Sequence, residues 1–168
     1  MKSIYILDDH PIITEGIAQL LANNQQYQIT TGHHYSELYN YLNDHTPDLL
    51  IIDYEIQDKT ALDVITYLQK KGVNIPQLIY TMHTEFWIIK LLIKAEGIPF
   101  EEYEGVNSFA TLLRAINKIE EIEKAIHNIL HEGNKYYSPT ALNVVLSIMG
   151  DHSTEKSIVY TPSPRENE

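Results

Sequence analysis

The chain has 168 residues, 43% of them hydrophobic and 21% charged, which is enough for one domain with a core and a small appendage. Its formal charge of −11 argues against nucleic acid or an anionic membrane surface as a direct partner, because both are bound through cationic side chains. There is no cysteine, which excludes disulfides, thiolate chemistry and zinc–thiolate sites and fits a reducing cytoplasm.

Strand-like runs and helix-like stripes alternate from the N-terminus. A first strand is predicted over Ser3–Leu7, and it stops at Asp8, too early for a signal peptide. Ile13, Ile17, Leu20 and Leu21 then recur at helical spacing. A second strand is predicted over Tyr27–Gly32, followed by a helical stripe of Leu38, Tyr41 and Leu42. The third strand, Leu49–Asp53, is apolar up to its last residue, as expected of a strand buried on both faces. Leu62, Ile65 and Leu68 mark a third helix, closed by Gly72. Gln77–Met82 reads as the fourth strand, and Trp87, Leu91, Leu92 and Ala95 as a fourth helical stripe. Strict alternation of this kind implies right-handed βαβ units and a mostly parallel sheet. No apolar stretch reaches the length of a membrane span.

The pattern then loosens. Glu96–Gly105 contains Pro99 and four glutamates and reads poorly as a buried fifth strand. A long helix is predicted from Ser108, with Leu112, Ile116, Ile119, Ile122, Ile126 and Leu130 on one face, ending at a turn at Gly133-Asn134. A short helix, Thr140–Met149, follows, and the polar, proline-bearing residues after Gly150 read as loose.

Two acidic groups stand where strands end. Asp8-Asp9 follow the first strand and Asp53 closes the third. In an open parallel sheet, ligands bind just beyond the C-terminal strand ends. Three carboxylates gathered there repel one another unless a hard divalent cation sits between them, and Mg²⁺ is the usual occupant of such oxygen-only sites. A cation with one spare carboxylate is the minimum apparatus for moving a phosphoryl group onto an aspartate. Taken alone, Asp8-Asp9 read more simply as an N-cap pair for the first helix. His10 reads as part of the helix start rather than as a ligand. His127 and His131, four apart, read as a solvated face.

These residues resemble a known family. Ile6-Leu7-Asp8-Asp9-His10-Pro11, with Glu15-Gly16 following, looks like the opening of a bacterial response-regulator receiver domain of the NarL/LuxR type. Pro47-Asp48-Leu49-Leu50-Ile51-Ile52-Asp53 is similar to the family's phosphoacceptor strand, and Tyr80-Thr81-Met82-His83 to its fourth strand. The resemblance implies a doubly wound α/β fold, flavodoxin-like, with a five-stranded parallel sheet in the order 2-1-3-4-5, an atypical last βα unit and a C-terminal helical linker. It implies Asp53 as phosphoacceptor, Thr81 as the hydroxyl that bonds the phosphoryl group, and Mg²⁺ held by Asp8, Asp9, Asp53 and the backbone carbonyl of Glu55. The partners it implies are a sensor histidine kinase and a second copy of the chain. The chain would be a cytoplasmic signalling module and not an enzyme.

Gly133-Asn134-Lys135-Tyr136-Tyr137-Ser138-Pro139 resembles the linker of this branch, and Thr161-Pro162-Ser163-Pro164-Arg165-Glu166 the first residues of a LuxR-type helix-turn-helix. The implied organisation is a receiver over 1–132, a linker helix over 133–150 and a tail over 151–168 that leads to a DNA-binding domain absent from the chain. Receivers carry a lysine at the end of the fifth strand. The family's usual distance from Thr81 leads to Tyr103, and a second alignment through Gly105-Val106-Asn107-Ser108-Phe109 leads to Leu112 or Arg114; none is lysine. Gln57 also stands where proline is common, and Ala61 where glycine is. These departures define a rival reading, a pseudo-receiver that acts as an interaction module without phosphate. A Mg²⁺-dependent phosphoryl-transfer hydrolase would need a second acid/base near Asp53, for which Glu55 is the lone candidate. Nucleotide binding finds no glycine-rich loop after the first strand.

Overall fold

The computed structural model describes residues 1–80, 110–113, 119–133, 142 and 146–147. Its centre is a parallel sheet. Strand β1 (Lys2–Leu7) lies between β2 (Tyr27–Gly32) and β3 (Leu49–Asp53), and β6 (Gln77–Tyr80) and β7 (Ala110–Leu113) continue the sheet beyond β3. The order β2-β1-β3-β6-β7 is the expected 2-1-3-4-5 once the short antiparallel pair β4 (Glu55–Ile56) and β5 (Lys59–Thr60) is set aside. The described α-helices are α1 (Pro11–Ala22), α2 (Tyr35–Asp44), α3 (Ala61–Lys71) and α4 (Ile119–His127).

The alternation of side chains along a strand explains the two-faced core. Tyr5, Leu7, Leu50 and Ile52 point to one face and pack with Leu38 of α2 and Val64, Ile65 and Leu68 of α3. Ile4, Ile6, Leu49 and Ile51 point to the other and pack with Ile17 and Leu21 of α1 and Ile122, Ala125 and Ile126 of α4. Strands covered on both faces need a continuous apolar run, which is what 49–52 supplies. Gly72 ends α3 at φ 65°, a left-handed conformation that suits glycine, and Val73 N–H donates to the Leu68 carbonyl at 3.0 Å.

The fifth strand corrects one expectation. The spacing predicts a helix from Ser108, but Ala110–Leu113 pairs in parallel with Gln77–Tyr80. The stripe Leu112–Ile116–Ile119–Ile122 has helical spacing, yet the strand's first residues meet an open sheet edge at β6, and pairing there satisfies their backbone groups. Helix α4 begins at Ile119, turns π-helical over Asn128–Glu132 and closes at Gly133 with φ 66°. The fourth helical stripe, at Trp87–Ala95, lies outside the described residues, as does Thr81. Leu142 and Leu146 are helical and exposed. Among the described residues, no helix is long and apolar enough to cross a membrane.

Candidate functional site at the carboxyl ends of β1 and β3

The register assembles the site. Leu7 pairs with Ile52, so the next residues along, Asp8 and Asp53, emerge side by side at the carboxyl end of the sheet. Asp53 pairs in turn with Tyr80, and Tyr80 with Leu113. Asp8, Asp9, His10 and Asp53 each bring one ligand atom within 4.8 Å of the others. The three predicted carboxylates are therefore together. Glu55 lies two residues beyond Asp53 in β4, and Thr81 directly follows Tyr80 in the chain but lies outside the described residues.

Each carboxylate is held differently. Asp8 is buried, and its Oδ1 accepts the His10 backbone N–H at 2.7 Å. Asp9 Oδ2 accepts the Gln57 backbone N–H at 3.2 Å. Asp9 Oδ1 is shielded from solvent and accepts no hydrogen bond of good geometry. Asp53 Oδ1 accepts the Tyr54 backbone N–H at 2.7 Å. Burial, and then the negative charge of Asp8, push the Asp53 carboxyl up to about 7. A set of oxygens that includes one shielded, unbonded carboxylate oxygen fits a divalent cation in chemistry and in place.

Two contributors were not anticipated. His10 caps α1 by position, but its ring makes no cap bond; Nδ1 instead lies 3.0 Å from Asp8 Oδ1 and 3.1 Å from Asp9 Oδ1. The hydrogen bond to Asp8 and the charges of Asp8 and Asp9 raise its pKa. Its place directly after Asp8-Asp9 was the available signal. Gln57 is the second. Its φ is 57°, and its side chain contacts His34 at the start of α2. A proline here has neither that φ nor an N–H for Asp9, which accounts for its absence. Gln57→Pro is expected to lower stability by about 2–3 kcal/mol and to weaken divalent-cation affinity. Urea denaturation with and without Mg²⁺ checks both, and unchanged cation affinity in the folded variant would remove Gln57 from the site.

Comparison with known proteins agrees with this geometry. Residues 4–98 match the response regulator receiver domain family. The chain belongs to that family. It is 30% identical over 99 residues to the methanol utilization control regulatory protein MoxX of Paracoccus denitrificans, covering 56% of this chain and 44% of that protein. It is 27% identical over 151 residues to a nitrate/nitrite response regulator protein homolog of Haemophilus influenzae, covering 82% of this chain and 69% of that protein. For most of the curated relatives it matches, the chain spans about half of the relative's length. The isolated REC domain of RcsB from Salmonella enterica serovar Typhimurium, solved with phosphomimetic BeF3-, has the same fold, with TM-score 0.69, 17% identity and coverage of 85% and 97% of the two chains. This chain carries the receiver domain of a two-component response regulator.

The fifth strand bears on the lysine that the family resemblance sets at its end. With β7 at Ala110–Leu113, the distance that led to Tyr103 does not apply. The residue after β7 is Arg114, outside the described residues.

Proposed function

We propose that Asp53 accepts a phosphoryl group from a sensor histidine kinase, with Asp8, Asp9 and the Glu55 carbonyl helping Asp53 to hold Mg²⁺. The observation that carries this reading is the convergence of Asp8, Asp9 and Asp53 within 4.8 Å at adjacent strand ends. Tyr54 N–H holds Asp53 Oδ1, which leaves Oδ2 to attack phosphorus. A P–O bond forms at Asp53, the donor's P–N bond breaks, and the leaving imidazole keeps the electron pair and takes up a proton. When bound, Mg²⁺ supplies positive charge between the acidic cluster and the incoming phosphate. Asp53 must be ionised to attack, and a carboxyl poised at about 7 is only part-ionised at neutral pH without that charge. Thr81, next after the β6 residue in register with Asp53, is the hydroxyl that bonds the new phosphoryl oxygens and moves with them.

The downstream consequences belong to the same proposal. Phosphorylation alters the surface around the last strand and helix, a second copy docks there, and DNA is contacted through a domain beyond this chain. The module works in the cytoplasm as a signalling switch. The pseudo-receiver rests on the missing lysine, but the acidic cluster is intact and Arg114 supplies a cationic residue directly after β7 in sequence.

The test is the intact-protein mass after incubation with acetyl phosphate and Mg²⁺. The wild type is expected to gain one phosphoryl group and Asp53→Asn none. A folded wild type that gains nothing, or an Asp53→Asn variant that still gains mass, would sink this assignment.

A further inference from the structure

The His10 ring is unexplained by its place in the fold. It starts α1, yet it makes no hydrogen bond to the helix end. Its side chain is 67% exposed. It nevertheless turns its Nδ1 onto two carboxylates at nearly equal distances, 3.0 Å from Asp8 Oδ1 and 3.1 Å from Asp9 Oδ1. In an octahedral site with bonds of about 2.1 Å, neighbouring donors lie about 3.0 Å apart. Both distances from His10 Nδ1 therefore match the spacing of neighbouring donors in such a site. Asp9 Oδ1 is the shielded oxygen that lacks a hydrogen bond of good geometry.

We propose that His10 Nδ1 is a nitrogen ligand of the cation held by Asp8, Asp9 and Asp53, so that this site takes Mn²⁺ in preference to Mg²⁺. The proposal rests on the cation-assisted reading of the acidic cluster and adds to it the identity of the preferred ion. Oxygen donors alone suit Mg²⁺. An imidazole donor shifts the balance toward first-row transition ions, which bind nitrogen more tightly. As a ligand the ring carries its proton on Nε2, away from the metal.

The experiment measures Mn²⁺ and Mg²⁺ affinity for the full chain, His10→Ala and Asp9→Asn, with pulsed electron paramagnetic resonance of the Mn²⁺-loaded proteins. The wild type is expected to bind Mn²⁺ more tightly than Mg²⁺ and to show coupling to an imidazole nitrogen. His10→Ala is expected to lose that coupling and about tenfold in Mn²⁺ affinity, with Mg²⁺ affinity changed by less than about threefold. Mn²⁺ bound without nitrogen coupling in the wild type overturns the proposal while leaving the acidic site intact. So does a His10→Ala variant that binds both ions more tightly, which would make the ring a competing cation. Failure of the wild type to bind either ion, or an Asp9→Asn variant with unchanged affinity, removes the cation-assisted reading itself.

Discussion

Asp53→Asn is expected to be more stable than the wild type by about 2 kcal/mol at pH 7.5 without divalent cation. A free aspartate titrates near 3.8, whereas Asp53 in the folded protein titrates at about 7, through burial first and the charge of Asp8 second. A carboxyl raised in this way binds its proton more tightly folded than unfolded. Stability therefore falls as pH rises from about 4 to about 7, and the loss is complete above that range. Three pH units correspond to about 4 kcal/mol, and solvent screening at this partly exposed group reduces the figure by about half. Asn removes the charge and the penalty with it. The His10 pKa is raised too, and stability gained from the protonated ring is lost as pH climbs through its folded value, the same direction of change. Urea denaturation in EDTA at pH 5 and pH 7.5 reads the effect. The two proteins should converge at pH 5 relative to pH 7.5, and saturating Mg²⁺ should stabilise the wild type more than the variant. A variant no more stable than the wild type at pH 7.5 in EDTA would mean that neither burial nor the charge of Asp8 penalises the ionised Asp53 carboxyl.

That penalty is what made the site legible from sequence. An apolar strand ending on a carboxylate, twice, is a pattern that folding alone does not favour, and the bounds Tyr27–Gly32 and Leu49–Asp53 hold in the structure as read. Pairing of Leu7 with Ile52 then brings the acidic groups together. The fifth strand was not legible, for a physical reason. Four residues carry too few alternations to define a period, and Leu112 continues backwards the helical stripe of Ile119, Ile122 and Ile126. What decides its state is the edge of β6, which lies far away in sequence. Gln57 failed differently. A positive φ in a residue with a side chain leaves no mark on its own type; it comes from the turn between β4 and β5 and from the bond to Asp9. His10 carried a signal in its position after two aspartates, but a residue at a helix start can also cap, and only the ring's direction separates the two roles.

Gly32→Ala is expected to lower stability by about 2–3 kcal/mol and to weaken cation binding at a site that the added methyl does not reach directly. Gly32 ends β2 opposite Leu7. A Cβ there would overlap the Tyr5 hydroxyl and come within 3.0 Å of Tyr5 Cζ and 3.1 Å of Glu37 Oε2. Tyr5 is 2% exposed and lies against Tyr41 with ring centroids 4.8 Å apart, so its ring has nowhere to retreat. The remaining relief is for β1 and β2 to part at their carboxyl ends. The Gly32 carbonyl accepts the Asp8 N–H at 3.2 Å, and His33 Nδ1 contacts the Asp8 carbonyl at 2.9 Å. Parting the strands there displaces Asp8, and the cation site with it. Tyr5→Phe removes the overlapping hydroxyl but keeps the 3.0 Å contact at Cζ, so the double variant should recover more than half of the lost stability and most of the Mg²⁺ affinity. Urea denaturation and Mg²⁺ titration of the four proteins of this cycle measure both quantities. Equal losses from Gly32→Ala in the wild-type and Tyr5→Phe backgrounds would show that the cost lies in the strand itself and not in the packing of Tyr5 over it.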